Sequence, residues 1–346
     1  MFHFGIDLGG LESQICIRDQ QGKIIEETIW PTKELHELLR THAPSRVILE
    51  TCAEAFAVAD RIKALGHDVR VVPASLVRQL GVGARGIKTD VRDARALSAV
   101  SCKIELPSVH IPKTTSREVR AIASLRDALV RSRTMLINTV RGWLRTQLIQ
   151  LPGGTKYSFA KRVRTTLLAR PEGIPAAIER QLVVIDELVS QVKDADAEIK
   201  SIASQTPMCR LLMTAPGVGP LTSVYFHTVV DEVERFGGAQ ALESYLGLTP
   251  GERSSSSHKS RTGITKAGSG QVRRVLVQAC WVIWMKKPND PLARWGRQVA
   301  ERRGRQVAVV AMARKLSGIL YAMWRDGRPY DAALVSDLTF SETAAA

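Results

Sequence analysis

The sequence predicts an α/β domain built on a mixed sheet, joined by long basic helices to a mainly helical second domain. Three observations carry this reading. The first hundred residues alternate short β-rich runs with helical patterns, residues from about 116 to 204 hold two long helical stretches, and the chain after Pro207 is compact and mostly helical in pattern. At 346 residues there is room for two domains and a connector, since domains run roughly 100–200 residues.

The opening is three strands. Phe2 to Leu8 reads as the first, Ser13 to Arg18 as the second and Ile24 to Trp30 as the third, with a turn at Gln20-Gln21-Gly22-Lys23. Lys33 to Arg40 reads as a helix, Arg46 to Glu50 as a buried strand, Ala53 to Leu65 as a helix stopped by Gly66, and Val69 to Val72 as a strand. This βββαβαβ order followed by a helix is the RNase H-like order. Ser116 to about Leu151 and Pro175 to about Ser204 are long amphipathic patterns, separated by Leu151-Pro152-Gly153-Gly154, whose apolar stripes must be buried within the chain or in a coiled-coil dimer. Pro216-Gly217-Val218-Gly219 reads either as a phosphate-approaching hairpin between helices or as an ordinary tight turn.

The net charge of +15 is unevenly spread. Residues 1–111 are neutral, 112–170 carry +11, 171–252 carry −7, 253–328 carry +14 and the tail 329–346 carries −3. Two separate basic blocks point to a polyanion lying across more than one part of the molecule, because each phosphate neutralised by Lys or Arg releases counterions. Solvated helix faces are the plainer alternative. Aromatic residues are few, at 5%, so base stacking is not expected to dominate recognition. No apolar run approaches the roughly 20 residues of a membrane span and the start lacks a signal-peptide pattern, so a soluble cytoplasmic protein is expected. The five scattered cysteines, Cys16, Cys52, Cys102, Cys209 and Cys280, lack zinc-ligand spacing and read as buried free thiols.

Four carboxylates stand out by their neighbours. Asp7 sits in the apolar first strand, Glu50 closes the apolar strand Arg46-Val47-Ile48-Leu49, and Asp90 and Asp93 lie three apart at the start of a helix. A carboxylate on a central strand is costly to desolvate and persists there with a cation or a hydrogen-bonding partner. In the RNase H-like order these positions converge at one end of the sheet, where two Mg²⁺ ions roughly 4 Å apart suit phosphoryl transfer. Taken singly, the acids have ordinary explanations: Asp90 and Asp93 favour a helix N-terminus, and Glu50 can cap the following helix. The opening Gly5-Ile6-Asp7-Leu8-Gly9-Gly10 also begins sugar kinases and actin-like ATPases, whose further glycine-rich phosphate loops and second related domain are not found after residue 111.

The other chemistry-bearing stretch is Ser254-Ser255-Ser256-Ser257 within a cationic segment. It reads either as a flexible linker or as a nucleophilic hydroxyl beside a scissile phosphate, with Arg253, Lys259, Arg261, Lys266, Arg273 and Arg274 binding nucleic acid and stabilising charge.

The chain resembles the DEDD transposases of bacterial insertion sequences, the IS110 family. The resemblance rests on Gly5-Ile6-Asp7, Leu49-Glu50-Thr51, Lys88-Thr89-Asp90 through Asp93-Ala94, Pro216-Gly217-Val218-Gly219, Leu246-Gly247-Leu248-Thr249-Pro250, the serines, Ile264-Thr265-Lys266-Ala267-Gly268 with Arg273-Arg274, and Ala311-Met312-Ala313-Arg314-Lys315-Leu316. It implies a RuvC-like domain over residues 1–111, a basic coiled-coil connector over 112–206, a serine transposase domain over 207–330 and an acidic, flexible tail over 331–346. It further implies that Asp7, Glu50, Asp90 and Asp93 bind Mg²⁺, with Mn²⁺ as a substitute, and that a serine attacks DNA to form a covalent phosphoserine. The family pattern has Ser-Ser-Gly or Ser-Thr-Gly where this chain has four serines; counting back from Ile264-Thr265-Lys266 aligns Ser254 and Ser255, and leaves the choice between them open. The implied partners are donor and target DNA, a noncoding bridge RNA, and further copies of the chain as a dimer or tetramer, in a bacterial cytoplasm and at the nucleoid when active. A RuvC-like nuclease acting without a covalent intermediate and a non-catalytic RNA-binding protein are the competing readings.

Overall fold

The computed structural model describes residues 1–73, 75–76, 89–255 and 258–333, with the side chains of 252–261 outside that description. The chain divides into two compact units, Met1–Pro112 and Lys113–Ala346.

In the first unit β1 (His3–Asp7), β2 (Glu12–Arg18) and β3 (Ile24–Pro31) form an antiparallel meander, and β4 (Arg46–Glu50) and β5 (Asp68–Val72) add in parallel, giving the order β3-β2-β1-β4-β5. This is the mixed sheet the sequence predicts. Alternation along the central strands splits the side chains between two faces. Phe4, Ile6, Ile15, Ile17, Val47 and Leu49 point to a face covered by α1 (Leu35–Arg40) and α2 (Ala55–Lys63), which bury Leu35, Leu39, Ala55, Ala59 and Ile62. On the opposite face Ile48 and Val72 meet Leu97 of α3 (Asp90–Ser101).

That second layer depends on Gly5. A Cβ there would collide with the Ala94 carbonyl oxygen and the Ser98 nitrogen, so the α3 backbone lies directly on β1. The α3 residues that face the sheet, Ala94, Leu97, Ser98 and Ser101, follow the helical period. His3 Nδ1 and Ser101 Oγ, 2.8 Å apart, fix the far end of the contact. β3 is the sheet edge and leaves Ile25 and Ile29 exposed, while its Glu27 is held by Arg95 of α3 at 2.6 Å.

In the second unit α4 (Thr114–Thr146) and α6 (Ala176–Gln205) pair along their length, with Arg126 Nε 2.8 Å from Asp196 Oδ1. Ile137, Val140 and Leu144 of α4 bury against Ile178, Leu182 and Ile185 of α6, so much of the two stripes is covered within the chain itself. A short helix the sequence pattern does not reveal, α5 (Phe159–Leu168), closes this bundle with Phe159, Val163 and Leu167. Then follow α7 (Pro207–Leu212), α8 (Pro220–Val230), α9 (Ala239–Tyr245), a hairpin of β6 (Pro250–Ser255) and β7 (His258–Ile264), α10 (Gly270–Lys286), α11 (Pro291–Arg303) and α12 (Arg305–Asp326). By length and composition α12 alone among the described residues could cross a membrane, but it packs against α9, α10 and α11 and buries Val309, Met312, Ala313, Leu316 and Leu320. The Pro216–Gly219 segment is a tight turn: Gly217 has φ +73°, and a Cβ on it would strike the Ala279 carbonyl oxygen of α10. All five cysteines are free, and Cys16, Cys209 and Cys280 are buried as expected, whereas Cys52 is exposed because it lies in the turn between β4 and α2.

A buried carboxylate organises the second unit. Asp127 of α4 is 5% exposed and receives Arg274 of α10, Arg126 Nη1 at 3.2 Å and the Tyr225 hydroxyl of α8 at 2.7 Å. Burial, reinforced by that carboxylate, pushes the Tyr225 phenol well above its ordinary range. Gln271 Nε2 donates to Ser124 Oγ at 3.3 Å beside it.

Two outcomes are expected. Gly5→Ala forces α3 off the strand, costing about 3 kcal/mol, visible as lost hydrogen-exchange protection in β1 and α3. Asp127→Ala removes the acceptor that Arg274, Arg126 and the Tyr225 hydroxyl share, leaving Arg126 with Asp196 and Tyr225 with the Ala123 carbonyl, and costs about 3 kcal/mol in urea denaturation, with Asp127→Asn recovering part of the loss because its amide oxygen still accepts.

Candidate functional site

The carboxylates are positioned by three elements of the first unit. Asp7 and Glu50 are the last residues of the neighbouring parallel strands β1 and β4, whose register pairs Ile6 with Leu49, so both acids stand at the same end of the sheet. α3 runs back along β1: Ser101 lies by His3, Ala94 and Ser98 lie over Gly5, and the first turn with Asp90 and Asp93 therefore reaches the Asp7 end. Asp93 is 2% exposed and Asp90 is exposed. Thr89 caps the helix by accepting from the Arg92 amide, and the helix dipole favours both acids in that turn.

The four predicted acids thus share one end of the sheet, while among the described residues no three His, Cys, Asp or Glu side chains stand close enough to hold one metal ion. The donor chemistry fits a hard divalent cation, since all four are carboxylates borne on packed strands and a packed helix. The spacing is wider than a ligand shell.

The serine segment lies in the second unit, and there the structure departs from a loop. Its backbone is an antiparallel hairpin in which Ser254 faces Lys259, Arg253 faces Ser260 and Ser255 faces His258. The side chains of Arg253, Ser254, Ser255, Lys259 and Arg261 lie outside the described residues. The root of the hairpin is well held. Thr265 N donates to Thr249 O at 2.9 Å and Lys266 N to Gly247 O at 3.1 Å. Arg273 donates through Nη1 to the carbonyls of Leu246 at 2.9 Å, Gly268 at 3.3 Å and Ala267.

Of the three described cations predicted to bind nucleic acid, then, Arg273 braces backbone and Arg274 pairs with Asp127, whereas Lys266 is exposed at the root. Sequence reasoning missed Asp127, Tyr225 and Arg126, which set the helix carrying Arg273 and Arg274. One signal was present: Asp127 is the single acid between Glu118 and Glu172 in a strongly basic stretch.

Comparison with known proteins agrees at both ends of the chain. Residues 4–148 match the DEDD transposase model of the IS110 type, and residues 209–294 match the model described as Transposase IS116/IS110/IS902 family. Among curated relatives, the transposase for insertion sequence element IS1111A of Coxiella burnetii is 26% identical, over 92% of this chain and 88% of its own length. The transposase for insertion sequence element IS1328 of Yersinia enterocolitica is 27% identical over 93% and 96%, and a probable family 20 transposase of Pseudomonas aeruginosa is 24% identical over 92% and 95%. The acids at one end of a mixed sheet lie in the first matched segment, the hairpin root and α10 lie in the second, and the chain belongs to the IS110/IS116 family of transposases, with a DEDD domain at its N-terminal end.

Proposed function

We propose that the chain cuts and rejoins DNA to move an insertion sequence, with Ser254 or Ser255 as the nucleophile and Asp7, Glu50, Asp90 and Asp93 as holders of Mg²⁺ or Mn²⁺. The observation that carries the proposal is the arrival of four carboxylates, from β1, β4 and α3, at one end of the sheet in the segment that matches a DEDD transposase model. Grouped carboxylates repel one another unless a cation neutralises them. When bound, the metal would polarise the scissile phosphate and neutralise its charge.

The remaining steps belong to the chain's own residues. The serine oxygen attacks phosphorus, the P–O3′ bond breaks, the serine proton ends on the departing 3′ oxygen, and the 5′ phosphate stays linked to the protein. After strands are exchanged, a 3′ hydroxyl attacks the phosphoserine, restoring the DNA bond and the free serine without external energy. Lys266 and the cations of the hairpin would screen the phosphate, while Arg273 and Arg274 hold the hairpin root and α10 in position. A bridge RNA choosing donor and target DNA, and a dimer or tetramer joining two duplexes, complete the reading.

The test is incubation of the purified protein with RNA from the element's flanks, donor DNA, target DNA and Mg²⁺, followed by a denaturing gel. Protein-linked DNA is expected, lost in Ser254→Ala or in Ser255→Ala, whichever is the nucleophile. Asp7→Asn should lower product formation about 100-fold or more, and chelation should abolish it until Mg²⁺ or Mn²⁺ is restored. Cleaved DNA with free 5′ phosphates and no adduct would replace this mechanism with that of a metal-dependent nuclease.

A further inference from the structure

The helical bundle of α4, α5 and α6 carries a charge imbalance that neither the carboxylate end nor the serine hairpin uses. Between Asp127 and Glu172 the sequence has nine Lys or Arg residues and no acid. Two of the nine find acidic partners beyond that stretch: Arg164 pairs with Glu179 and Asp186, and Arg170 with Glu172. Arg141 and Arg145, one turn apart on the exposed side of α4, pair with no carboxylate among the described residues.

Beside them is a groove of about 390 Å³, lined by Arg141, Leu144, Arg145, Ile149, Gln150 and Leu151. Its chemistry is divided. Two guanidinium groups present forked donors at one side, three aliphatic side chains make an apolar wall, and Gln150 supplies an amide that both donates and accepts. The volume suits a single small ligand unit. Guanidinium pairs suit a phosphate, an apolar wall suits the flat face of a base, and an amide suits a base edge. Phosphate, base face and base edge all belong to a single nucleotide.

The surroundings raise the positive potential further. Arg133 is 1% exposed, its Nε and Nη1 lack hydrogen-bond partners among the described residues, and its guanidinium carbon lies 5.6 Å from the centre of the Tyr157 ring. Arg141 and Arg162 both lie against the ring of Phe159, at 5.4 and 5.9 Å. Cations held in this way by aromatic rings keep their charge without a carboxylate to cancel it.

We propose that this groove at the end of α4 binds an unpaired nucleotide of a nucleic acid strand, with Arg141 and Arg145 on its phosphate and Leu144, Ile149 and Leu151 against its base. The inference rests on the nucleic-acid reading of the chain but not on the serine chemistry. A duplex keeps its bases stacked and offers only phosphates, so the groove discriminates for single strands.

Fluorescence anisotropy of the full-length protein with labelled oligouridine, oligothymidine and a short DNA duplex tests this. Arg141→Gln combined with Arg145→Gln should weaken binding to a single strand about tenfold and lower the log–log salt slope by about 0.7, the share of one phosphate on a single strand. The duplex should be little affected. Lys63→Gln combined with Lys103→Gln removes the same charge from exposed positions of the other unit and should leave single-strand binding unchanged. A larger loss on oligouridine assigns the groove to RNA, and an equal or larger loss on oligothymidine assigns it to DNA. Unchanged single-strand affinity, or an equal loss on the duplex and the single strands, would overturn the proposal. The readout is binding alone, so it stands or falls independently of any serine adduct.

Discussion

The close approach of α3 to the central strand is the constraint on which the first unit is built. Glycine at position 5 removes the side chain that would hold helix and strand apart, and the helix then settles with its backbone against β1. Everything at the acidic end follows from that seating. The antiparallel run of α3 along β1 carries Asp90 and Asp93 to the end where β1 and β4 terminate in Asp7 and Glu50. Packing thus carries four carboxylates from three elements to one end of the sheet.

The second unit is organised by the opposite device, a charge taken inside and satisfied. Asp127 collects donors from three helices, so the hairpin is followed by an α10 that is tied to α4 and α8. Buried ion pairs add little net stability against an apolar substitute, but they penalise every arrangement that leaves a partner behind. The gain is one fixed placement of α10 and of the hairpin root that Arg273 braces.

The sequence was legible where periodicity or punctuation is strong. β1 through β5 fall within a residue or two of their expected bounds because alternating apolar residues and turn glycines mark them, and α4 and α6 follow from long apolar stripes. The hairpin at β6 and β7 was not legible. Apart from Thr262 and Ile264 its residues are proline, glycine, serine and charged or imidazole side chains, which carry little strand preference, and backbone pairing links its strands. The short helix α5 was hidden by the Pro152-Gly153-Gly154 break before it. Within the site, all four acids could be named from local context, because strand ends and helix starts are local. The engagement of Arg273 and Arg274 could not, because Asp127 lies far away in the sequence and charge alone does not reveal an internal partner.

The continuous run of α4 gives the second unit a ruler. From Asp127 to Arg145 the helix is uninterrupted, and at 1.5 Å per residue this sets roughly 27 Å between the node that holds α10 and the cation-lined end of the bundle. A length change inside that span cannot be absorbed as it is in a loop. One inserted residue would lengthen the rod by about 1.5 Å and rotate everything beyond it by about 100°, turning a buried face outward. A change of length is therefore accommodated only in the turns at either end of the rod, which keeps the spacing between its two ends fixed.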